Sequence, residues 1–580
     1  IIITEDFAVT RTAGASKTLA GLWEDRQVEP WRVFTDRIHK TGAKTIAQIY
    51  HAGRETSSQI TGEQPIAPSA IKDPTMHETP REMSVNEIHD LEKAFVDAAL
   101  RAKAAGFDGV EVHGAHGYLI NQFVSPFSNK RCDEYGGTTE NRTRFPREII
   151  QAIRLAAGED FPIFYRMSSE EYVPGGLEIE EAKLIARLIE DAGADCIHCS
   201  QGVFATGHII IPPASVPVGG FVHHAAALKT VVDIPVIAVG RINDPMLAES
   251  ILASGSADLC TPEMPEKAWR GDYASILHCI GCVQGCAGEH GQGHPIRCLV
   301  NPLTGMEDVY DISPAAEPKK VVVVGGGVSG SEAAIAAAGR GHRVTLLEKS
   351  GELGGQWIAA SIPMAKGDFS SFIVWQKHML EKLDVEVRFH VDVTKETLEE
   401  MKPDAVILAT GSNPAMPPIK GLQEYGVVAQ KVLRGEVEVG NKVVVIGGGL
   451  VGAETADYLA EHGCGDVTIV EMLPQIVKDG EPAPTYYLKK RMAEHGVKVL
   501  TSAAVQEVKE HGVVYKKDES CAEITDVDTV VIAIGVRANT ALEESLTDCD
   551  FTVVSVGDCH ERAKNGYRGI QEGYEAGICI

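Results

Sequence analysis

The sequence predicts an α/β chain of several domains: a parallel βα barrel first, then two doubly wound sheets in tandem. Three observations carry this. β-rich apolar runs alternate with helical stretches up to residue 270, a strand, glycine turn and helix pattern occurs twice beyond residue 319, and four cysteines between 279 and 298 separate the two halves.

A chain of 580 residues far exceeds the ~250–300 at which one hydrophobic core stops growing, so three or four domains are expected. The net charge of −27 and the lack of clustered Lys and Arg disfavour nucleic acid and anionic membrane as partners. No apolar run approaches the ~20 residues needed to span a bilayer, and no charged-then-apolar secretory segment opens the chain. A soluble, cytoplasmic protein is expected. The 13 cysteines fall well below the density of a disulfide scaffold, which fits a reducing compartment. The numbering opens at Ile1 without Met, and IIIT reads as the middle of a strand, so an N-terminal piece is expected to precede it.

In the first half the strand-like runs are TIAQIYH (45–51), GVEVHG (109–114), IFYRMS (163–168), DCIHCS (195–200), PVIAVG (235–240) and ADLC (257–260). Segments such as VNEIHDLEKAFVDAALRAKAAG and IEEAKLIARLIEDAG, periodic as amphipathic helices, lie between them. With IIIT this makes about seven strands, hence a (β/α)8 TIM barrel over residues 1–270 lacking its first strand. Barrel chemistry sits where strands end. Gln48 and His51 end one strand, His113 and His116 the next, then Arg166 and His198, and Gly240-Arg241 closes PVIAVG at a place where barrels commonly bind phosphate.

Residues 271–312 contain HCIGCVQGCAGEHGQGHPIRCLVNP, which sets Cys279, Cys282, Cys286 and Cys298 in a C-x2-C-x3-C-x11-C array. Four thiolates suit either tetrahedral zinc or a cubane iron–sulfur cluster, and spacing alone leaves both open. The Pro- and Ala-rich DISPAAEPKK (311–320) then reads as a domain link.

KKVVVVGGGVSGSEAAIAAAGRGHRVTLLEK follows: a strand, Gly325-x-Gly327-x-x-Gly330, a helix, and a second strand ending at Glu348. This is a complete dinucleotide fingerprint, with glycines for close pyrophosphate approach, a helix N-terminus for its charge and an acid for ribose hydroxyls. NKVVVIGGGLVGAETADYLAEHGCGDVTIVEM repeats it 122 residues later with Gly447, Gly449, Gly452 and Glu471. The sequence thus predicts tandem Rossmann-like domains, one inserted in the other: residues 319–435 with 540–580, and residues 436–539. ILATG (407–411) and VVIAIG (530–535) read as the strands that return the chain between them. Glu471 favours NADH over NADPH, since a carboxylate repels a 2′-phosphate.

Several of these segments resemble a known family. HGAHGYLINQFVSPFSNKRCDEYGGTTENRTRF (113–145), IAQIYHAGR (46–54) and VIAVGRI (236–242) are similar to the Old Yellow Enzyme family of FMN-dependent ene-reductases. With the cysteine array, the chain resembles its iron–sulfur branch, which includes 2,4-dienoyl-CoA reductase, 2-enoate reductase and bile-acid enone oxidoreductases. The resemblance implies that Gln48 and Arg166 contact the flavin pyrimidine edge and that Gly240 and Arg241 hold the FMN phosphate. It also implies that His113 and His116 bind the substrate carbonyl oxygen and that Tyr118 donates a proton. VVSVGDC (553–559) resembles the Gly-Asp segment of glutathione-reductase-like flavoproteins, implying Gly557 and Asp558 near FAD, so FAD is expected at the first fingerprint and NADH at the second.

Placed between a flavin barrel and an NADH-accepting half, the array is expected to hold a [4Fe-4S] cluster, because redox-inert zinc would sever the two. Electrons would pass from NADH to FAD, singly through the cluster, to FMN, and as hydride to the activated C=C of an enoate, enoyl-CoA or steroid enone. The resemblance suggests a homo-oligomer. The chain departs from the family at ADLCTPEMPEKAW, which lacks the usual Gly-Arg phosphate contact, and at SQGVFATGHIIIPP (200–213), where only His208 stands near the position of the extra His of dienoyl-CoA reductases. Two other readings are a trimethylamine-dehydrogenase-like amine demethylase, which carries Tyr where this chain has His113, and a diaphorase without an organic substrate.

Overall fold

The computed structural model describes residues 1–260, 265–560 and 565–580. The chain forms two compact units, residues 1–212 with 217–263, and residues 213–216 with 264–580. Of ADLCTPEMPEKAW, where the chain departs from the family, residues 261–264 lie outside the described residues.

The first unit is built on seven parallel strands: β1 (Ile2–Ala8), β2 (Thr45–Tyr50), β3 (Gly109–Gly114), β4 (Ile163–Ser168), β5 (Cys196–Ser200), β6 (Val236–Ala238) and β7 (Leu259–Cys260). Each pairs with its neighbour in sequence, so the sheet order is the chain order. A doubly wound sheet would reverse direction partway; an unreversed order is that of a barrel wall. β2, β3 and β5 are buried along their whole length, which is why they read as continuous apolar runs.

The intervening helices bury one stripe each. Ser84 caps α1 (Val85–Ala104) in a reciprocal box with Glu87, and Ile88, Leu91, Phe95, Ala98, Ala99 and Ala102 face inward at helical spacing. α2 (Arg144–Ala157) packs against it through Ile149, Ile150 and Ile153.

The second unit contains two doubly wound sheets. In chain order their strands are β8 (Lys320–Val324), β9 (Arg343–Leu347), β10 (Glu386–Arg388), β11 (Ala405–Leu408), β12 (Gly426–Val428), β13 (Lys442–Ile446), β14 (Asp466–Val470), β15 (Lys498–Leu500), β16 (Thr529–Ile532) and β17 (Thr552–Ser555). The first sheet runs β10-β9-β8-β11-β17 and the second β12-β16-β13-β14-β15. The order reverses between β8 and β11 in one and between β13 and β16 in the other, and these switch points open the crevices where such folds bind ligands. The second sheet thus draws a strand, β12, from ahead of residue 436. Among the described residues, no helix is long and apolar enough to cross a membrane.

Candidate active site and cofactor sites

Strand register assembles the barrel site. It pairs Asp6 with Gln48 and Gln48 with Glu111 across β1, β2 and β3, and it pairs His113 with Arg166 and Arg166 with His198 across β3, β4 and β5. Six polar side chains therefore gather toward the C-terminal ends of five strands, the rim at which barrels do chemistry.

Glu111 is the hub and is fully buried, at 0% exposure. Gln48 Nε2 donates to its Oε1 at 2.5 Å, and His198 Nδ1 lies 2.7 Å from its Oε2. Burial alone would raise this carboxyl, but hydrogen bonds from His198 and Gln48 together with the Arg166 charge outweigh burial and hold it down to about 2. Burial lowers His198 in turn, so the imidazole is neutral, its Nδ1–H turned to the carboxylate and its Nε2 bare. Asp6 Oδ1, Arg166 Nε and His198 Nε2 are buried without a hydrogen-bond partner among the described residues. A buried polar atom left unmet costs about 1–3 kcal/mol. A flat ligand bearing donors and acceptors along one edge, as a flavin pyrimidine ring does, fits this rim.

His113 and His116 stand beside this group, ring centroids 4.9 Å apart. His113 Nδ1 accepts from the Ala115 N–H at 3.2 Å, so the neutral ring carries its proton on Nε2. Burial and then the Arg166 charge push His113 down to about 3 and His116 well below the ordinary value, leaving both uncharged at neutral pH. His116 is held differently. It takes a left-handed φ of 64°, its N–H donates to Ser168 Oγ at 2.9 Å, and its Nε2 meets Ser200 Oγ at 2.7 Å, so Nδ1 is the atom left for a ligand. Tyr118 packs edge-on against His113 at 5.0 Å and Tyr50 at 4.9 Å, and burial raises its phenol well above the ordinary value.

Asp6 and Glu111 form no part of the sequence expectation; the one available signal was a charged residue inside each apolar strand. Burial raises Asp6 to about 7, with Arg166 opposing and Glu111 and Glu5 adding to the rise. Its carboxyl therefore charges as pH rises through about 7, beside His113, whose Nε2 is 3.8 Å from Asp6 Oδ1. Asp6→Asn should remove a titration near pH 7 from the pH profile of the barrel half-reaction, measured by stopped-flow; an unchanged profile rejects the assignment.

At the end of β6, Gly240 and Arg241 have φ of 116° and 54°. A side chain at Gly240 would also crowd Phe221, so only glycine suits this sharp turn.

In the second unit the two fingerprints repeat the same turn at corresponding glycines. Gly325 and Gly447 have φ of 108° and 103°, and a Cβ on either would overlap a carbonyl oxygen, of Ala409 or Ala533, across the switch point. A Cβ on Gly330 or Gly452 would strike the oxygen of Gly325 or Gly447. Gly327 and Gly449 each cap the following helix, Val328–Gly339 or Leu450–Glu461. Glu348 accepts from Gly326 N–H at 2.6 Å, and Glu471 from Gly448 N–H at 2.5 Å. Gly330→Ala should thus displace the turn and lower the FAD content of the purified protein at least about tenfold, a loss on the order of 1.4 kcal/mol in binding; full FAD occupancy would contradict this.

A cavity of about 1250 Å³ opens at the first switch point, lined by Gly325, Gly327, Glu348, Thr410, Asp558 and Gly566 among others. It exceeds the ~300–1,000 Å³ of ordinary small-molecule pockets, as an extended dinucleotide requires. Gly557, at φ 70°, begins a short 3-10 turn, and Asp558 Oδ2 accepts from Ser412 Oγ at 3.1 Å. Gln284 and Leu299, from the cysteine segment, also line this cavity. So do Lys366 and Glu454, an ion pair at 2.5 Å that joins the two nucleotide folds.

The four array cysteines form no disulfide and share one neighbourhood, close enough that each of the others raises the Cys282 thiol electrostatically. Burial is the first cause that pushes Cys282 up to about 12. Cys282 and Cys298 pack against Ile280, Leu299 and Val300, and Gly281 N–H points at Cys279 Sγ from 3.5 Å. Among the described residues no three His, Cys, Asp or Glu side chains close to metal-ligating distance, so the thiols converge without forming a finished tetrahedron. An apolar shell, a backbone N–H on sulfur and a convergent all-thiol donor set suit an iron–sulfur cluster.

Comparison with known proteins agrees with this layout. Residues 1–262 match the NADH:flavin oxidoreductase / NADH oxidase family, residues 320–409 the FAD dependent oxidoreductases, and residues 375–553 the pyridine nucleotide-disulphide oxidoreductases. The NADH oxidase of Thermoanaerobacter brockii is 43% identical over 93% of this chain and 86% of its own. The cinnamate reductase of Clostridium sporogenes is 36% identical over 91% of this chain and 80% of its own. A 2-naphthoyl-CoA reductase solved with 2-naphthoyl-CoA superposes with a TM-score of 0.96 at 31% identity, covering 100% of this chain and 92% of that one. A flavin-type rim on a parallel barrel, two dinucleotide folds later in the chain and relatives matched over more than nine-tenths of this chain lead to one conclusion: the chain is a flavin-dependent oxidoreductase and belongs to the NADH:flavin oxidoreductase / NADH oxidase family.

Proposed function

We propose that the chain is an NADH-dependent ene-reductase that adds hydrogen across the activated C=C of an α,β-unsaturated carbonyl compound, whether enoate, enoyl-CoA or enone. The observation that carries this is a pair of uncharged imidazoles, His113 and His116, beside a protonated Tyr118 on the barrel rim. The relatives include a cinnamate reductase and a 2-naphthoyl-CoA reductase; cinnamate is an α,β-unsaturated acid and 2-naphthoyl-CoA an aromatic acyl thioester. FMN at the barrel rim would supply hydride, FAD in the cavity would receive it from NADH, and a [4Fe-4S] cluster on Cys279, Cys282, Cys286 and Cys298 would relay electrons singly.

The chain's own residues divide the work. His113 through Nε2–H and His116 through Nδ1–H hold the substrate carbonyl oxygen. Charge grows on that oxygen as the β-carbon gains hydride, so these donors bind the transition state more tightly than the ground state. Tyr118 delivers a proton to the α-carbon as general acid. Arg166 and Gln48 orient the flavin pyrimidine edge, Arg166 favouring negative charge there, while Gly240 and Arg241 hold the phosphate. Gly325, Gly327 and Gly330 with Glu348, Gly557 and Asp558 hold FAD. Gly447, Gly449, Gly452 and Glu471 hold NADH, Glu471 disfavouring a 2′-phosphate.

Anaerobic NADH oxidation by the holoenzyme against a panel of 2-enoates, enoyl-CoAs and cyclic enones tests this reading. At least one member should yield saturated product, one molecule per NADH. NADH oxidation with dyes alone, and no panel member reduced, would refute it.

A further inference from the structure

Gln48 and Arg166 orient the flavin in the proposed function, and Glu111 there has no role. Glu111 is nonetheless the most constrained group on the rim. It is fully buried, its two oxygens are each claimed by a side chain, one from the adjoining strand β2 and one from β5 two strands away, and those partners come from 63 residues before it and 87 residues after it.

We infer that Glu111 is a positioning residue for flavin mononucleotide, fixing through Gln48 and His198 which atoms face the ring's imide edge; this rests on the FMN reading of the barrel. An amide can present oxygen or NH₂ to a ligand with little difference in shape. Beside a carboxylate the choice is gone: Gln48 must turn Nε2 to Glu111, since its oxygen there would meet like charge, and Oε1 with the second N–H is left to look outward. An imidazole has two tautomers of similar energy. Beside the same carboxylate, His198 carries its proton on Nδ1, and Nε2 becomes an acceptor that no described residue meets.

One buried charge thus converts two ambiguous side chains into acceptors of fixed direction. A ligand that satisfies them must bring N–H or O–H donors, and an oxidised flavin brings its imide N3–H and its ribityl hydroxyls. The counter-charge is Arg166, on the strand between those of Glu111 and His198, so the negative hub lies beside the cation rather than beside the ligand alone. Without Glu111, Gln48 could turn over and His198 could exchange tautomers, and each would then offer a donor where a donor must bind.

The test compares FMN with 3-methyl-FMN, which lacks the imide N–H, in titrations of full-length protein freed of FMN and followed by flavin fluorescence. Wild type should bind FMN about tenfold or more tighter than the methylated analogue, a difference on the order of 1.4 kcal/mol. In Glu111→Gln this preference should shrink to less than about twofold on the same scale, and the visible bands of bound flavin should shift. Undiminished preference in Glu111→Gln overturns the inference while leaving the ene-reductase reading intact; wild type that binds no FMN overturns both. Far-UV circular dichroism checks that the variant is folded. If it is not, Glu111→Asp, which retains the charge, should keep the preference and Gln48→Met should lose it; the opposite pattern overturns the inference.

Discussion

Tyr118→Phe is expected to slow reduction of the enone substrate by about 10²–10⁴-fold, the usual worth of a general acid, while NADH continues to reduce the FAD half at the wild-type rate. The ring keeps its packing: Tyr118 is the N-cap of the short helix Leu119–Val124 and meets His113, Tyr50 and Phe204 edge-on at 5.0, 4.9 and 5.5 Å. Only the hydroxyl goes. Burial, followed by the nearby Asp6 charge, raises that phenol well above its ordinary value, so it stays protonated until charge develops on the substrate. Stopped-flow absorbance separates the two half-reactions. Equal slowing of both would mean that the substitution disturbs the protein broadly, and an unchanged oxidative half-reaction would remove Tyr118 from the chemistry.

Cys282→Ala is expected to have the larger effect on turnover and almost none on the entry of electrons. Cys282 sits in an apolar cluster with Ile280, Leu299, Trp357, Phe369 and Phe372, in a segment whose Gln284 and Leu299 line the dinucleotide cavity. Loss of one thiolate ligand should lower iron and acid-labile sulfide content, leave NADH able to reduce FAD, and drop enone reduction to background. Removing a buried thiol that is pushed up to about 12 when unligated creates no unpaired charge, so the unit should remain folded. If the variant reduces enone at the wild-type rate, the electron path does not cross this segment.

Much of the fold was legible because its signals are local. GVEVHG and IFYRMS are strands over the residues the sequence indicates, since parallel strands buried on both faces must be apolar almost throughout. The two fingerprints were legible for the same reason: strand, glycine turn, helix and acid lie within about thirty residues. The site was legible only in part. That Gln48 meets Glu111 depends on β2 pairing with β3 in one register, and no spacing rule links residues so far apart. The commitment of His116 Nε2 to Ser200 hangs on the left-handed turn at His116 and on a strand 84 residues away. The cysteine spacing was visible, whereas the left-handed Val283 and the π-helical turn Gln284–Gly288 that fold the loop were not.

The central claim is that electrons entering from NADH leave through the barrel to a C=C bond. The direct measurement is a single turnover: holoenzyme reduced anaerobically with one equivalent of NADH, freed of NAD⁺, and mixed with a 2-enoate, enoyl-CoA or enone that the panel shows to bind. The account predicts flavin reoxidation and one saturated product per NADH consumed. Flavins that stay reduced with every unsaturated carbonyl, in a protein whose oxidised form a tertiary amine reduces, would contradict it.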